Sequence, residues 1–288
     1  MFQKNISLSK FENHIIIVGS ARSGTSWLCE LLARPHRYRL LFEPEHEFNT
    51  KDGHLLCDRW IEDTVDAGES YTYLKRVFSN KVDNDWIAQH SNRKWKRHLW
   101  PFIPKKFVIK FVRCNLAASY INQDFNIPVI HIIRNPYDVI ESQQRVKFPW
   151  LYDLSRFEKQ DRLSDLVKRN YNFDFKEIKS FSEIEKLTFR WCLENVVALD
   201  LYRIKKDNFK LIKFEDLRSD QELFLKICKE FNLQPYFQLE AVYGAPSSKS
   251  HRQGLKGEGP KNCSLSDEEI NSIGEVLRTF RQEFYPIK

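Results

Sequence analysis

Apolar positions along this chain fall into two patterns, short near-continuous runs and longer stretches in which they recur every three or four residues. The runs are Ile15–Val18, Tyr38–Phe42, Phe107–Phe111, Val129–Ile133 and Phe209–Phe214, and they read as strands with both faces covered. Helical spacing marks residues 25–34, 136–146, 185–204, 221–232 and 266–281. The last helix is well bounded, because Ser266 with Glu269 makes a capping box and Ile270, Ile273, Val276, Leu277 and Phe280 share a face. Strands alternating with helices predict an α/β fold with three layers, a mostly parallel central sheet flanked by helices. Two segments fit the alternation badly, 44–106 and 147–184, which are polar, charged and rich in aromatic residues.

Bulk properties narrow the picture. A chain of 288 residues with a 42% hydrophobic fraction and 9 glycines is that of an ordinary folded protein, long enough for one large domain. The formal net charge of +7 points to an anionic partner. Six cysteines at positions 29, 57, 114, 192, 228 and 263 form no CxxC pair and no metal-ligand spacing. They read as reduced thiols of a cytoplasmic enzyme, with no metal expected. No secretory signal or membrane span is visible in the polar N-terminus or beyond it.

The first strand runs into Gly19-Ser-Ala-Arg-Ser-Gly-Thr-Ser-Trp27 and then into a helical pattern carrying Leu28, Leu31 and Leu32. Strand, tight turn and helix start make a phosphate cradle, since backbone N–H groups and the positive end of the helix dipole meet at the turn. The spacing is nearly that of an ATP-binding loop, yet Thr25 and Ser26 stand where that motif has Lys and then Ser or Thr. A cation, Arg22, sits instead two residues before the second glycine. The loop is built for an anion other than magnesium ATP. In open parallel sheets ligands bind beyond the carboxyl ends of the strands. There the chain places Arg22 and Ser23 after the first strand, Glu43 after the second, Lys110 near the end of the third and Arg134 after the fourth. Pro136 then suits the first turn of a helix that carries Ser142 nearly two turns on. Arginine offers a planar fork to a phosphate and serine adds a hydroxyl donor.

The loop Gly19–Trp27 resembles the 5′-phosphosulfate loop of sulfotransferases that use 3′-phosphoadenylyl sulfate, whose fold is P-loop NTPase-like. Arg134 and Ser142, eight positions apart, resemble that family's 3′-phosphate site. Ser250-His-Arg-Gln-Gly254 resembles its late loop over the same phosphate, with Arg252 and Gly254 matching and Gln253 replacing a lysine. The resemblance implies donor binding by Arg22, Ser23, Gly24, Thr25, Ser26, Trp27, Arg134, Ser142, Arg252 and Gly254. It also implies one sulfotransferase domain over 1–288, with acceptor or lid insertions near 44–106 and 147–184. Cytosolic phenol and steroid sulfotransferases place a histidine base shortly after the third-strand lysine. Here Val112 stands near that position, which argues against their acceptors and their base. Leu41-Phe-Glu-Pro44 resembles the strand-end Glu-Pro of carbohydrate and bacterial sulfotransferases, which implies Glu43 as general base, followed by His46 and then Glu45 as candidates. A free glutamate titrates at about 4.3; burial would raise it and nearby Arg22 or Lys110 would oppose the rise.

The resulting expectation is in-line sulfuryl transfer. Glu43 takes the acceptor proton, while Lys110 and Arg22 stabilise charge at the sulfuryl group. The acceptor is expected to be a hydroxyl on a carbohydrate or glycolipid, facing the basic, aromatic run Asn92-Arg-Lys-Trp-Lys-Arg-His98 and Leu99–Pro104. That run by itself does not distinguish one polyanion from another, and nucleic acid is not the expected partner. In Lys213-Phe-Glu-Asp-Leu217 the acidic residues are expected to cap or brace the fold. The competing classes are a P-loop nucleotide kinase or NTPase, disfavoured by the missing lysine, and a non-catalytic protein that binds a nucleotide or an anionic glycan.

Overall fold

A computed structural model describes residues 11, 14–35, 38–82, 84–88, 106–202, 208–247 and 265–288. Five strands, β1 (Ile15–Val18), β2 (Tyr38–Phe42), β3 (Lys106–Lys110), β4 (Val129–Ile133) and β5 (Phe209–Lys213), form one sheet in the order β2-β3-β1-β4-β5. Every pairing is parallel. Eight helices of eight residues or more occur among the described residues: α1 (Thr25–Ala33), α2 (Glu69–Phe78), α3 (Ala118–Phe125), α4 (Pro136–Val146), α5 (Asp161–Tyr171), α6 (Glu183–Cys192), α7 (Gln221–Glu230) and α8 (Asp267–Thr279). The three-layer parallel α/β architecture expected from the alternation is the one observed.

The two-residue period of a strand explains why the runs are continuously apolar. Ile16 and Val18 point to one face, where they pack with Leu74 and Phe78 of α2 and Ile121 and Phe125 of α3. Ile15 and Ile17 point to the other face, against Leu28 and Leu32 of α1 and Phe224 and Ile227 of α7. A third core joins α4, α5, α6 and α8, with Trp191, Phe189 and Phe280 fully enclosed.

Helices α2, α3 and α5 lie where no helix is predicted from the pattern. In α5 the buried residues Leu163, Leu166, Val167 and Tyr171 keep helical spacing, but charged neighbours dilute the signal. The described parts of 44–106 and 147–184 reach into the cores through Leu56, Leu74 and Phe78 and through Leu151, Phe157 and Leu163. The helix read at 185–204 begins at Glu183, where Ser182 and Glu185 form a capping box. It widens to a π turn over Leu193–Val197 and closes with Ala198–Asp200. Among the described residues no helix is long and apolar enough to cross a membrane. Cys29, Cys57, Cys114, Cys192 and Cys228 are buried free thiols, and Cys263 lies outside the described residues.

Connections from β1 run toward β2, whereas those from β4 run toward β5, so the chain diverges between the adjacent strands β1 and β4. That divergence opens a crevice at the carboxyl ends of the two strands.

Candidate active site

The loop after β1 is held in place by three other elements. Gly19 lies so close to β4 that a Cβ would stand 2.3 Å from the Ile132 carbonyl oxygen, a distance that backbone cannot yield. Asn195 of the π turn donates to Ser20 Oγ at 2.7 Å, and Gln143 of α4 donates to the Ala21 carbonyl at 3.0 Å. Arg134, following β4, donates to the Arg22 carbonyl at 3.2 Å. Gly24 caps α1 in the left-handed region (φ 91°) and contributes no side-chain cap. The first turn of α1 carries no acidic residue. Its N–H groups lack intrahelical acceptors, so they and the helix dipole favour an anion there.

Among the described residues, no carboxylate pairs with Arg22 and only a distant one reaches Arg134. Arg22, itself left-handed (φ 75°), donates through Nε to Ser142 Oγ at 2.9 Å. Burial, and after it the charges of Arg134 and Arg145, lower the Arg22 pKa, because a desolvated guanidinium beside two others disfavours its own charge. Arg134 lies 5.0 Å over the Phe214 ring, and its only carboxylate contact among the described residues is a long one of 3.6 Å with half-exposed Asp138. Among the described residues, its Nε and the Ser23 hydroxyl are buried without a hydrogen-bond partner. Buried donors left in this state fit an incoming anion. Glu215 is a brace: it accepts from the Asn135 N–H at 2.9 Å and from the Tyr285 hydroxyl at 2.7 Å, fixing the backbone beside Arg134.

Across the crevice, β2 and β3 end level, with Phe42 opposite Lys110. Glu43 adopts φ 43° and donates its N–H to the Lys110 carbonyl at 3.0 Å. Lys110 Nζ meets Glu43 Oε1 at 2.5 Å and lies 4.2 Å from the Phe42 ring centroid. Glu45 is buried and accepts the N–H groups of Val112 and Arg113 at 2.6 and 3.1 Å. Burial above all, then the charge of Glu43, raises its pKa to about 7. The His46 ring packs edge-on to Trp86 with centroids 4.4 Å apart, and burial lowers its pKa.

A single cavity of about 560 Å³ joins the two sides. Of the residues expected at the site, Arg22, Gly24, Thr25, Ser26, Trp27, Glu43, Lys110 and Arg134 line it, as do Glu45 and His46. Ser23 and Ser142 lie behind its wall, buried. Arg252, Gly254 and the run 92–104 lie outside the described residues. Trp86, Arg113, Phe148, Trp150 and Arg218 also line the cavity, although no reading of the chain singles them out. For Trp86, Phe148 and Trp150 the signal is the aromatic content of 44–106 and 147–184, which does not say which residues turn inward, and Arg113 and Arg218 lie outside both segments. Among the described residues, no group of three or more His, Cys, Asp or Glu is placed to hold a metal ion.

A glycine turn at the switch point of a parallel sheet, under two arginines, defines an α/β protein of the phosphate-binding-loop class whose cavity suits an anionic ligand. Within that class the assignment is specific: the sulfotransferase domain model matches residues 12–232, and the chain belongs to this family. Solved structures with a similar fold include the sulfotransferase domain from the curacin biosynthetic pathway, at 17% identity over 95% of this chain and 93% of that one, with a TM-score of 0.46. The mouse sulfotransferase SULT7A1 complexed with PAP matches at 13% identity over 98% and 92% of the two chains, TM-score 0.49. A sulfotransferase from Alicyclobacillus acidocaldarius matches at 11% identity over 94% and 96%, TM-score 0.41. No curated protein matches the chain by sequence.

Proposed function

We propose that this sulfotransferase moves the sulfuryl group of 3′-phosphoadenylyl sulfate to a hydroxyl of a carbohydrate or glycolipid, in the cytoplasm. The observation that carries this reading is the shared cavity. Arg22, with no carboxylate partner among the described residues, and Arg134, with only a long contact to Asp138 among them, stand at one side of it, and the Glu43–Lys110 pair stands at the other. The donor would supply the sulfuryl group and leave as adenosine 3′,5′-bisphosphate. Arg134, with Ser142 behind Arg22, serves the 3′-phosphate, and the start of α1 with Arg22 serves the phosphosulfate. Glu43 takes the proton of the acceptor hydroxyl. Lys110, one short contact away, stabilises charge on the sulfuryl oxygens as it forms. Phe42, Trp86 and Trp150 give the cavity flat apolar faces of the kind on which sugar rings stack.

Sulfur-35-labelled donor, offered with a panel of oligosaccharides, glycolipids, small alcohols and phenols, tests the reading. Label is expected on the sugar-bearing acceptors and absent with Glu43→Gln. Label confined to phenols or small alcohols would remove the carbohydrate assignment, and binding of donor without transfer to any acceptor would favour a non-catalytic role.

A further inference from the structure

The turn after β2 and the turn after β3 continue side by side past the end of the sheet. Glu43 N–H meets the Lys110 carbonyl, and two residues further on the Glu45 carboxyl takes the place of a strand by accepting the Val112 and Arg113 N–H groups through Oε1. Among the described residues, Glu45 Oε2 is buried without a hydrogen-bond partner. The two nearby cations are engaged elsewhere: Lys110 with Glu43, and Arg113 with Asp58 and Glu47. Among the described residues no ion pair reaches the Glu45 carboxyl, so an ionised Oε2 would be a bare buried charge.

We propose that Glu45 is a positioning residue of this site: as a neutral carboxyl it ties the Glu43–Pro44 turn to the end of β3 and keeps Glu43 on Lys110. It does so without placing a second negative charge in a cavity that receives an anion. The inference rests on the reading of the cavity as the donor site. The titratable groups that interact with Glu45 from the packed elements are Glu43 of its own turn, Cys114 after β3, Cys57, and Tyr73 of α2, with Arg113 beside it through its N–H. Of these, Glu43 adds to the effect of burial, and the backbone N–H groups of Val112, Arg113 and Glu45 itself oppose it without cancelling it. The proton therefore leaves Glu45 near neutrality, and the charge it uncovers repels the anion beside it.

The test measures affinity for adenosine 3′,5′-bisphosphate by calorimetry between about pH 6 and about pH 8.5 in the full chain, with wild type and Glu45→Gln side by side. Glutamine keeps the oxygen that accepts from Val112 and Arg113 and imitates the neutral carboxyl. The loss of affinity toward high pH is expected to be about threefold or more greater in wild type than in Glu45→Gln, since only the former ionises. Identical pH dependence in the two proteins overturns the proposal. Carbon-13 NMR titration of the glutamate carboxyls in wild type, assigned by the resonance missing from Glu45→Gln, reads the same property without ligand. Titration of Glu45 within a unit of neutrality supports the proposal, and titration in the ordinary range of about 4.3 overturns it. If wild type fails to bind the bisphosphate, the donor assignment falls, and the carboxyl titration alone still decides the protonation of Glu45.

Discussion

Gly24→Ala separates the local physics of the loop from its function. Gly24 holds φ 91°, and a Cβ there would lie 2.3 Å from Phe214 Cδ2 and 2.5 Å from Cε2. The left-handed backbone costs an alanine about 1–2 kcal/mol. Forcing the Phe214 ring aside costs about 1–3 kcal/mol more. The sum, about 2–5 kcal/mol, lowers the thermal midpoint by an amount on the order of 10 °C. The ring does not move alone, because the Arg134 guanidinium lies on it at 5.0 Å and Trp27 packs edge-on at 5.8 Å. Affinity for adenosine 3′,5′-bisphosphate is therefore expected to fall about tenfold or more, an effect of about 1.4 kcal/mol. Gly244→Ala is the control, since Gly244 has right-handed helical backbone and open space around it. It should be neutral or slightly stabilising. Adding Phe214→Leu to Gly24→Ala should recover the steric part of the stability loss and not the backbone part. Thermal unfolding and calorimetry read both quantities. A Gly24→Ala protein with wild-type midpoint and affinity would refute the packing argument.

Other outcomes follow from the same geometry. Arg134→Ala should weaken binding of adenosine 3′,5′-bisphosphate about 10- to 100-fold, the loss of a charge-assisted contact, and weaken adenosine 5′-phosphate much less; equal losses in titration calorimetry would contradict the 3′-phosphate role. Glu43→Gln should lower turnover about 10²- to 10⁴-fold in the labelled-donor assay while bisphosphate affinity stays within a few fold, and undiminished turnover would remove Glu43 as base. Asp58 is buried between Arg113 and Arg190, and Asp58→Ala should cost about 3–5 kcal/mol in urea denaturation by removing the carboxylate that both buried cations share, leaving Arg113 with Glu47 and Arg190 with Glu194. Burial opposes ionisation of Asp58, but Arg190 and Arg113 outweigh it and hold its pKa below 3.8. Its contribution is thus complete above the unfolded pKa and is lost as pH falls through the lowered folded value, so the urea midpoint of wild type should drop more steeply than that of Asp58→Ala on acidification below about pH 4.

What was legible in the chain is what local chemistry dictates. Four-residue Ile15–Val18 has no polar face, so it must lie inside a sheet covered on both sides. Gly19 and Gly24 flank a turn that other residues cannot make, and Arg134 and Glu43 stand directly after runs whose ends define the crevice. These features depend on neighbours within a few positions, and the strand-end rule carries them to one place. Nothing local distinguishes Leu163 of α5 or Leu74 of α2 from the apolar minority of a polar insertion. Their burial follows from helices and strands far away in the chain. The same holds at the site. Glu45 has no feature of its own that separates it from Glu43 or Glu47. Its place is fixed by two N–H groups more than sixty positions onward, and its raised pKa comes from burial and the charge of Glu43, with Lys110 and Arg113 already taken by other carboxylates. Sequence alone determined which strand ends carry charge and what kind of ligand they suit. Only the tertiary structure decided which charges are paired, because pairing depends on distances between segments that the order of residues does not contain.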